Sequence, residues 1–478
     1  MALFTKKTVA ELEAAAGKGT LKPVLGPFNL TALGIGSIIG TGIFVLTGTA
    51  ASQHAGPALV LSMIVAAAAC AFAGLCYAEL ASMIPVAGSA YTYAYASIGE
   101  FVAWIIGWDL ILEYALSVST IAVGWSGYFA SFMRGLGLPL PMSLVNAPGV
   151  ATMAGGGGIF NVPAFLIVLI VAGLLVIGIK ESANTNTLLV AIKSVTLIVF
   201  VAAGVSYINR ANWTPFIPAN TGEFGSFGPS GILRGAGIIF FAFIGFDAVS
   251  TASQEAKNPQ RDLPIAILGS LAICTVLYIA VALVLTGIVS YKLLNVPDPL
   301  AIGIDATGLR WLSPFIKISA LFGLFSTMLV QLLGQSRIFF SMSRDGLLPA
   351  IFGKVHPKFR TPHVATMLTG IVVAIAAGLL PLSTLAELVS MGTLLAFVLA
   401  CIGIIVLRKT SPNVPRPFKT PWVPVVPICG ALACLLQMIA LPGATWIRLV
   451  MWLIIGFVIY FVFGKQRAEA MRAAAGAK

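Results

Sequence analysis

Few ionisable side chains of this chain sit in apolar sequence, and those few are the ones able to do chemistry there. Lys193 stands alone in Leu188-Leu189-Val190-Ala191-Ile192-Lys193-Ser194-Val195-Thr196-Leu197, seven residues into a helical run expected from about 186. At about 1.5 Å per helical residue that is roughly 10 Å from the start of the run. From there an ammonium either snorkels back to an aqueous interface or stays buried, where it can gain and lose a proton. Asp109 and Glu113 are four residues apart, so on a helix they share a face. Asp247 follows a glycine-interrupted stretch. Acids in such surroundings are candidates for proton relay or ligand contact; for Asp109, structural hydrogen bonding is an equal reading. Glu79 and Glu387 fall near expected helix ends and read as solvated or structural.

Two glycine-rich interruptions are the second chemical feature. One reads Leu33-Gly34-Ile35-Gly36-Ser37-Ile38-Ile39-Gly40-Thr41-Gly42-Ile43-Phe44. The other reads Gly235-Ala236-Gly237-Ile238-Ile239-Phe240-Phe241-Ala242-Phe243-Ile244-Gly245-Phe246-Asp247. Glycine inside a helix costs about 1 kcal/mol against alanine, so each cluster needs a reason. Close helix packing is one. An unwound segment is the other, tolerated in a membrane only where it lines a cavity or is buried in protein. A broken helix offers N–H groups at one half's start and C=O groups at the other's end. The first suit a carboxylate and the second an ammonium, so one zwitterion satisfies both.

The elements that position these groups follow from composition. The chain is 59% apolar and 9% charged, with a mean hydropathy of +1.00. A soluble domain with about 25% charged residues is excluded. At about 20 residues per crossing, twelve spanning helices are expected. They run near 28–50, 57–83, 101–131, 161–179, 186–208, 231–252, 264–289, 314–341, 363–380, 385–407, 422–441 and 446–464. The two interrupted stretches then fall in the first and sixth spans, one five-span unit apart. An odd number of spans per unit inverts the second unit relative to the first. Interrupted helices in corresponding positions of two halves point to a transporter's substrate site.

The expected organisation is a cytoplasmic arm over 1–27, a first five-helix repeat over 28–208 and a second, inverted one over 231–407. Two further helices over 422–464 and a tail over 465–478 complete it. The first 27 residues carry Glu11 and Glu13 among lysines and lack the apolar core of a cleavable signal. Lys6, Lys7, Lys257, Arg261, Arg344, Lys354, Arg408, Lys409, Arg416 and Lys465 would share one side. Arg134, Arg210, Arg234, Lys292, Arg310 and Arg448 would share the other. This positive-inside pattern predicts cytoplasmic termini in an inner (plasma) membrane. It accounts for the net charge of +12 without a nucleic-acid partner. The six cysteines lack metal-ligand spacing and read as small packing residues; neither metal nor cofactor is expected. The three histidines fall in or near loops and no HExxH or nucleophile motif occurs, which argues against an enzyme. No filter loop or charged ring suggests a channel.

Four stretches together resemble the amino acid–polyamine–organocation transporter superfamily, nearest to its cationic amino acid transporter branch. They are Gly34 to Phe44, Tyr77 to Tyr91 (Tyr-Ala-Glu-Leu-Ala-Ser-Met-Ile-Pro-Val-Ala-Gly-Ser-Ala-Tyr), Phe243 to Pro264, and Ser343 to Pro349. The resemblance implies an all-α integral membrane protein with a LeuT-like fold of five-plus-five inverted repeats and broken first and sixth helices. It implies alternating-access transport of L-amino acids. The substrate α-carboxylate would sit on amides around Gly40, Thr41 and Gly42. The α-ammonium would meet carbonyls near Ile38, Phe241, Ala242 and Ile244, with Phe241 as an aromatic gate. Lys193 would place its ammonium where sodium-coupled relatives hold sodium, with Gly36 and Ser326 or Thr327 as partners, and would couple protons to transport. Glu113 and Asp247 would assist. Ile38, Ile39, Ile111, Ile244 and Met328 would make the side-chain pocket apolar, which suits small or medium neutral amino acids such as alanine. Glu113 leaves room for cationic ones such as arginine. Exchange, or amino acid sensing without net transport, are the alternatives. A small single-span subunit or a sterol-like lipid would bind the helix surface without a legible mark.

Overall fold

The computed structural model describes residues 25–84, 89–150, 157–178, 183–247, 249–250, 253, 256–359 and 361–476. Most of the expected arm, positions 85–88 of the Tyr77–Tyr91 motif, Lys180, Arg360 and the last two residues lie outside the described residues. The α-helices are α1 (Pro27–Ile38), α2 (Thr47–Ala50), α3 (Leu59–Met83), α4 (Ser89–Ser97), α5 (Glu100–Gly135), α6 (Val162–Ile177), α7 (Ala183–Gly204) and α8 (Gly228–Ile239). They continue with α9 (Pro259–Ile288), α10 (Pro299–Ala306), α11 (Leu312–Arg344), α12 (His363–Leu379), α13 (Leu382–Thr410), α14 (Val425–Ala440), α15 (Gly443–Ile459) and α16 (Lys465–Gly476). Among the described residues, seven segments are long and apolar enough to cross a membrane, and four shorter apolar helices lie among them. The longest segment, Pro27–Met83 at 57 residues, far exceeds one bilayer crossing of about 20 residues.

Three helices depart from the expected loops and tail. α4 precedes the third expected span. α10 forms within the connection near 290–313, where Pro299 takes the first helical position, its missing N–H costing nothing there. α16 follows α15 through a wide turn at Tyr460–Gly464, in a stretch of Ala, Glu, Arg and Met that favours helix.

α5 and α11 run antiparallel and side by side. Ser117 accepts from Gln331 Nε2 at 3.3 Å, Tyr114 faces Gly334, and Gly107 faces Met342. On another side α5 locks to α15 through indoles. Trp108 and Trp452 stack at 4.5 Å and each donates its N–H to the other's carbonyl, at 2.8 and 3.0 Å.

For Glu79 the structural reading holds. The carboxylate is fully buried, takes two hydrogen bonds from Arg408 at 3.0 and 2.8 Å, and takes one from the Thr420 amide at 2.7 Å. Arg416 Nε stands 3.2 Å away. α3 is thereby tied to the end of α13 and to the connection that follows it. Glu387 is likewise engaged, accepting from Thr445 Oγ1 at 2.7 Å.

Candidate functional site

The two glycine-rich stretches are interrupted where expected, and they meet. α1 stops at Ile38; Ile39 is extended (φ −71°, ψ 97°), and helix resumes in a wide turn at Gly42–Leu46. α8 stops at Ile239, tightens through Phe240–Phe243, and gives way at Ile244 (φ −63°, ψ 138°). Gly245 then takes φ +117°, a conformation nearly closed to residues with a Cβ. A Cβ there would also lie 2.7 Å from the Ser37 carbonyl. A Cβ on Gly42 would overlap the backbone of Ala242. The absent side chains therefore let the breaks approach backbone to backbone.

Two tyrosines hold the carbonyls around the first break. Tyr278 of α9 donates to Ile38 O at 2.9 Å, and Tyr128 of α5 donates to Phe44 O at 2.7 Å. The first satisfies a carbonyl at the end of α1, which a continuous helix would have satisfied itself.

Between the breaks lies a cavity walled by Ser37, Ile38, Gly40, Thr41, Gly42, Ser117, Ile121, Phe241, Ile244, Thr327 and Gln331. About 10 Å³ of water-sized space is free in it, room for about one water. The walls therefore nearly fill the site between them. Thr41 is fully buried and its hydroxyl has no hydrogen-bond partner. Of the expected substrate residues, Ile38, Gly40, Thr41, Gly42, Phe241 and Ile244 line the cavity. Ile39, Ala242, Ile111 and Met328 are buried but off its wall. Met328 misses because Thr327 and Gln331, four apart on α11, take the inward face. Ser117, Ile121, Gln331 and Tyr278 were not anticipated. Gln331 carried a signal: an amide at i+4 from Thr327, flanked by Leu329-Val330 and Leu332-Leu333.

Lys193 does not snorkel. It is 1% exposed, and its Nζ donates to Gly36 O at 3.0 Å, Ile39 O at 3.3 Å and Thr327 Oγ1 at 2.8 Å. Thr327 in turn donates to Gly323 O at 3.0 Å. Gly323 gives the lysine stem its passage: a Cβ there would lie 3.0 Å from Lys193 Cγ. Ser326 instead donates to Gly323 O at 3.1 Å. The ammonium thus joins α7, α11 and the carbonyl end of α1, where the helix dipole favours a cation. Glu113 and Asp247 are both buried. Neither lines the cavity.

Comparison with known proteins gives this geometry a family. The model of the amino acid permease family matches residues 25–463. The chain belongs to that family. This permease is 48% identical over 469 residues to the branched-chain amino acid permease BcaP of Bacillus subtilis, covering 98% of each chain. It is 47% identical over 466 residues to a methylthioribose transporter of the same organism, again with 98% of each covered. It is 39% identical over 399 residues to the vacuolar cationic amino acid transporter 4 of Arabidopsis thaliana, covering 83% of this chain and 65% of that one. The permease is thus an amino acid transporter with membrane-spanning helices, and not an enzyme. Its paired breaks bring peptide dipoles, the unpartnered Thr41 hydroxyl and the Phe241 ring to one cavity, whose wall residue Thr327 is bonded to the Lys193 ammonium.

Proposed function

We propose that this permease is a proton-coupled symporter of small and medium neutral L-amino acids, working by alternating access. The observation that carries this reading is the Lys193 ammonium, bonded at once to the Gly36 and Ile39 carbonyls beside the first break and to Thr327 of α11. In that position it does the work of a bound cation, so loss of its proton would loosen α1 from α7 and α11. The amides and hydroxyl around Thr41 and Gly42 would take the substrate carboxylate, the carbonyls of Ile38, Phe241, Ala242 and Ile244 its ammonium. Phe241 would close over it. The apolar residues Ile38, Ile121 and Ile244 on the wall support neutral side chains, alanine and the branched-chain set that the name of the Bacillus relative suggests. Glu113 lies off the wall, which ranks cationic substrates such as arginine lower.

The reading includes twelve spans in a LeuT-like fold, with repeats over 28–208 and 231–407 and two added helices over 422–464. Both termini are cytoplasmic in it, as the positive-inside pattern predicts. Membrane lipid, including a sterol-like one, and a small single-span subunit are partners compatible with the exposed apolar faces of the outer helices.

The test is uptake of labelled L-alanine into sodium-free proteoliposomes, with and without an inward proton gradient. Stimulation by the gradient supports symport. Rapid uptake only when the vesicles are preloaded with amino acid means exchange, and the proton role of Lys193 is then withdrawn.

A further inference from the structure

Asp109 stands apart from both the cavity and Lys193. It lies on α5 one turn from Glu113, is 1% exposed, and neither carboxyl oxygen has a hydrogen-bond partner. Its far wall is Gly392 of α13: a Cβ at that position would lie 2.9 Å from Asp109 Oδ1. The glycine leaves room for the carboxyl but gives it nothing to bond. The structural hydrogen bonding expected of this residue is therefore missing.

Asp109 is also the end of a row. Ser117, Glu113 and Asp109 succeed one another at four-residue intervals on α5, hence on one face. Gln331 of α11 is bonded to Ser117, and the antiparallel alignment brings Gln335 to the level of Glu113. Gln335 is fully buried, and both heteroatoms of its amide lack partners, as does Glu113 Oε2. A seam of buried polar atoms with unmade hydrogen bonds thus runs from the cavity wall toward the Glu100 end of α5. Apolar side chains would fill this space at lower cost, so the seam calls for a function.

Charge narrows that function. Removing an unpaired carboxylate from water costs more than its packing returns. Among the described residues no donor, charged or neutral, bonds either carboxyl oxygen of Asp109. Its ionisable neighbour along α5 is Glu113, one turn on.

We propose that Asp109 is a proton-relay residue, passing protons between Glu113 and the Glu100 end of α5. When water reaches that end, Asp109 releases its proton to water and becomes a carboxylate. It then takes the proton of Glu113 across one helical turn, leaving Glu113 ionised and Asp109 neutral again. The relay rests on the proton coupling proposed above.

The experiment uses the full-length protein in proteoliposomes holding a pH-sensitive dye, with labelled L-alanine and an inward proton gradient. Wild type, Asp109→Asn and Asp109→Glu are compared for alanine uptake, proton entry, and exchange against preloaded alanine. Asp109→Asn keeps size and neutrality but cannot carry the proton. It is expected to lower gradient-driven uptake and proton entry by about tenfold or more, with exchange unchanged, and Asp109→Glu to restore both. Wild type that moves no protons overturns the coupling and the relay together. Proton entry in Asp109→Asn equal to wild type overturns the relay alone. Loss of exchange along with proton entry assigns Asp109 a structural role and also overturns the relay.

Discussion

The Lys193 ammonium donates a 2.8 Å hydrogen bond to Thr327 Oγ1 while two more of its contacts reach the backbone of α1 at Gly36 and Ile39. One positive charge therefore ties three helices at the level where α1 has lost its own hydrogen bonding. Changing Lys193 to methionine keeps much of the stem and removes all three bonds. Hydrogen bonds from charged groups contribute about 1.5–3 kcal/mol each, so losing them frees α1. Gradient-driven alanine uptake in sodium-free proteoliposomes is expected to fall to background in Lys193→Met. Uptake that survives the change, driven by sodium or by protons, rejects the coupling role.

Thr327→Val replaces a hydroxyl by a methyl of similar shape. It removes one of the three Lys193 partners and leaves the carbonyls in place. A loss of about 1.5–3 kcal/mol shifts the apparent proton affinity of uptake by one to two pH units, to lower pH, because the protonated form loses a partner. The pH profile of uptake measures this; an unmoved profile means the 2.8 Å contact does not hold the proton.

Tyr278→Phe deletes the hydroxyl that donates to Ile38 O at 2.9 Å and keeps the ring. A neutral hydrogen bond is worth about 1 kcal/mol, so the KM for alanine is expected to rise about fivefold while folding is retained. A KM equal to wild type shows that Ile38 is held by packing alone.

Gly42→Ala drives a methyl into the Ala242 backbone. Backbone cannot step aside as a flexible side chain does, and overpacking costs about 1–3 kcal/mol. Transport should be lost even in protein that remains monodisperse in detergent. Alanine uptake at wild-type rates would show that the two breaks need not approach as closely as they do here.

Glu79→Gln strips the charge that faces Arg408 and Arg416. Breaking a buried pair costs about 3–5 kcal/mol. Arg408 is 29% exposed at its side chain, which lowers the expectation to about 2–4 kcal/mol. Thermal unfolding of the purified protein reads it as a drop in midpoint; an unchanged midpoint means water already screens the node.

Much was written in the sequence itself. Apolar runs of helical length fix spanning helices because the bilayer leaves no other way to satisfy the backbone. Glycine clusters fix where two helices break, since each carries a propensity cost that local sequence does not repay. A lysine centred in an apolar run had only two fates; its companions, Gly36 and either Ser326 or Thr327, came from the family resemblance, and packing chose Thr327. Side-chain direction across helices was another matter. Met328 and Thr327 are neighbours in sequence and face about 100° apart on α11, so only packing could choose Thr327 and Gln331 for the cavity and turn Met328 away. Tyr278 and Ile38 stand 240 residues apart, and nothing local announces their bond. Glu79 looked like a helix-end acid until the chain returned Arg408 and Arg416 to it from more than three hundred residues downstream. Composition and periodicity act through neighbours within a turn or two; partners drawn from distant helices exist only once the helices have packed.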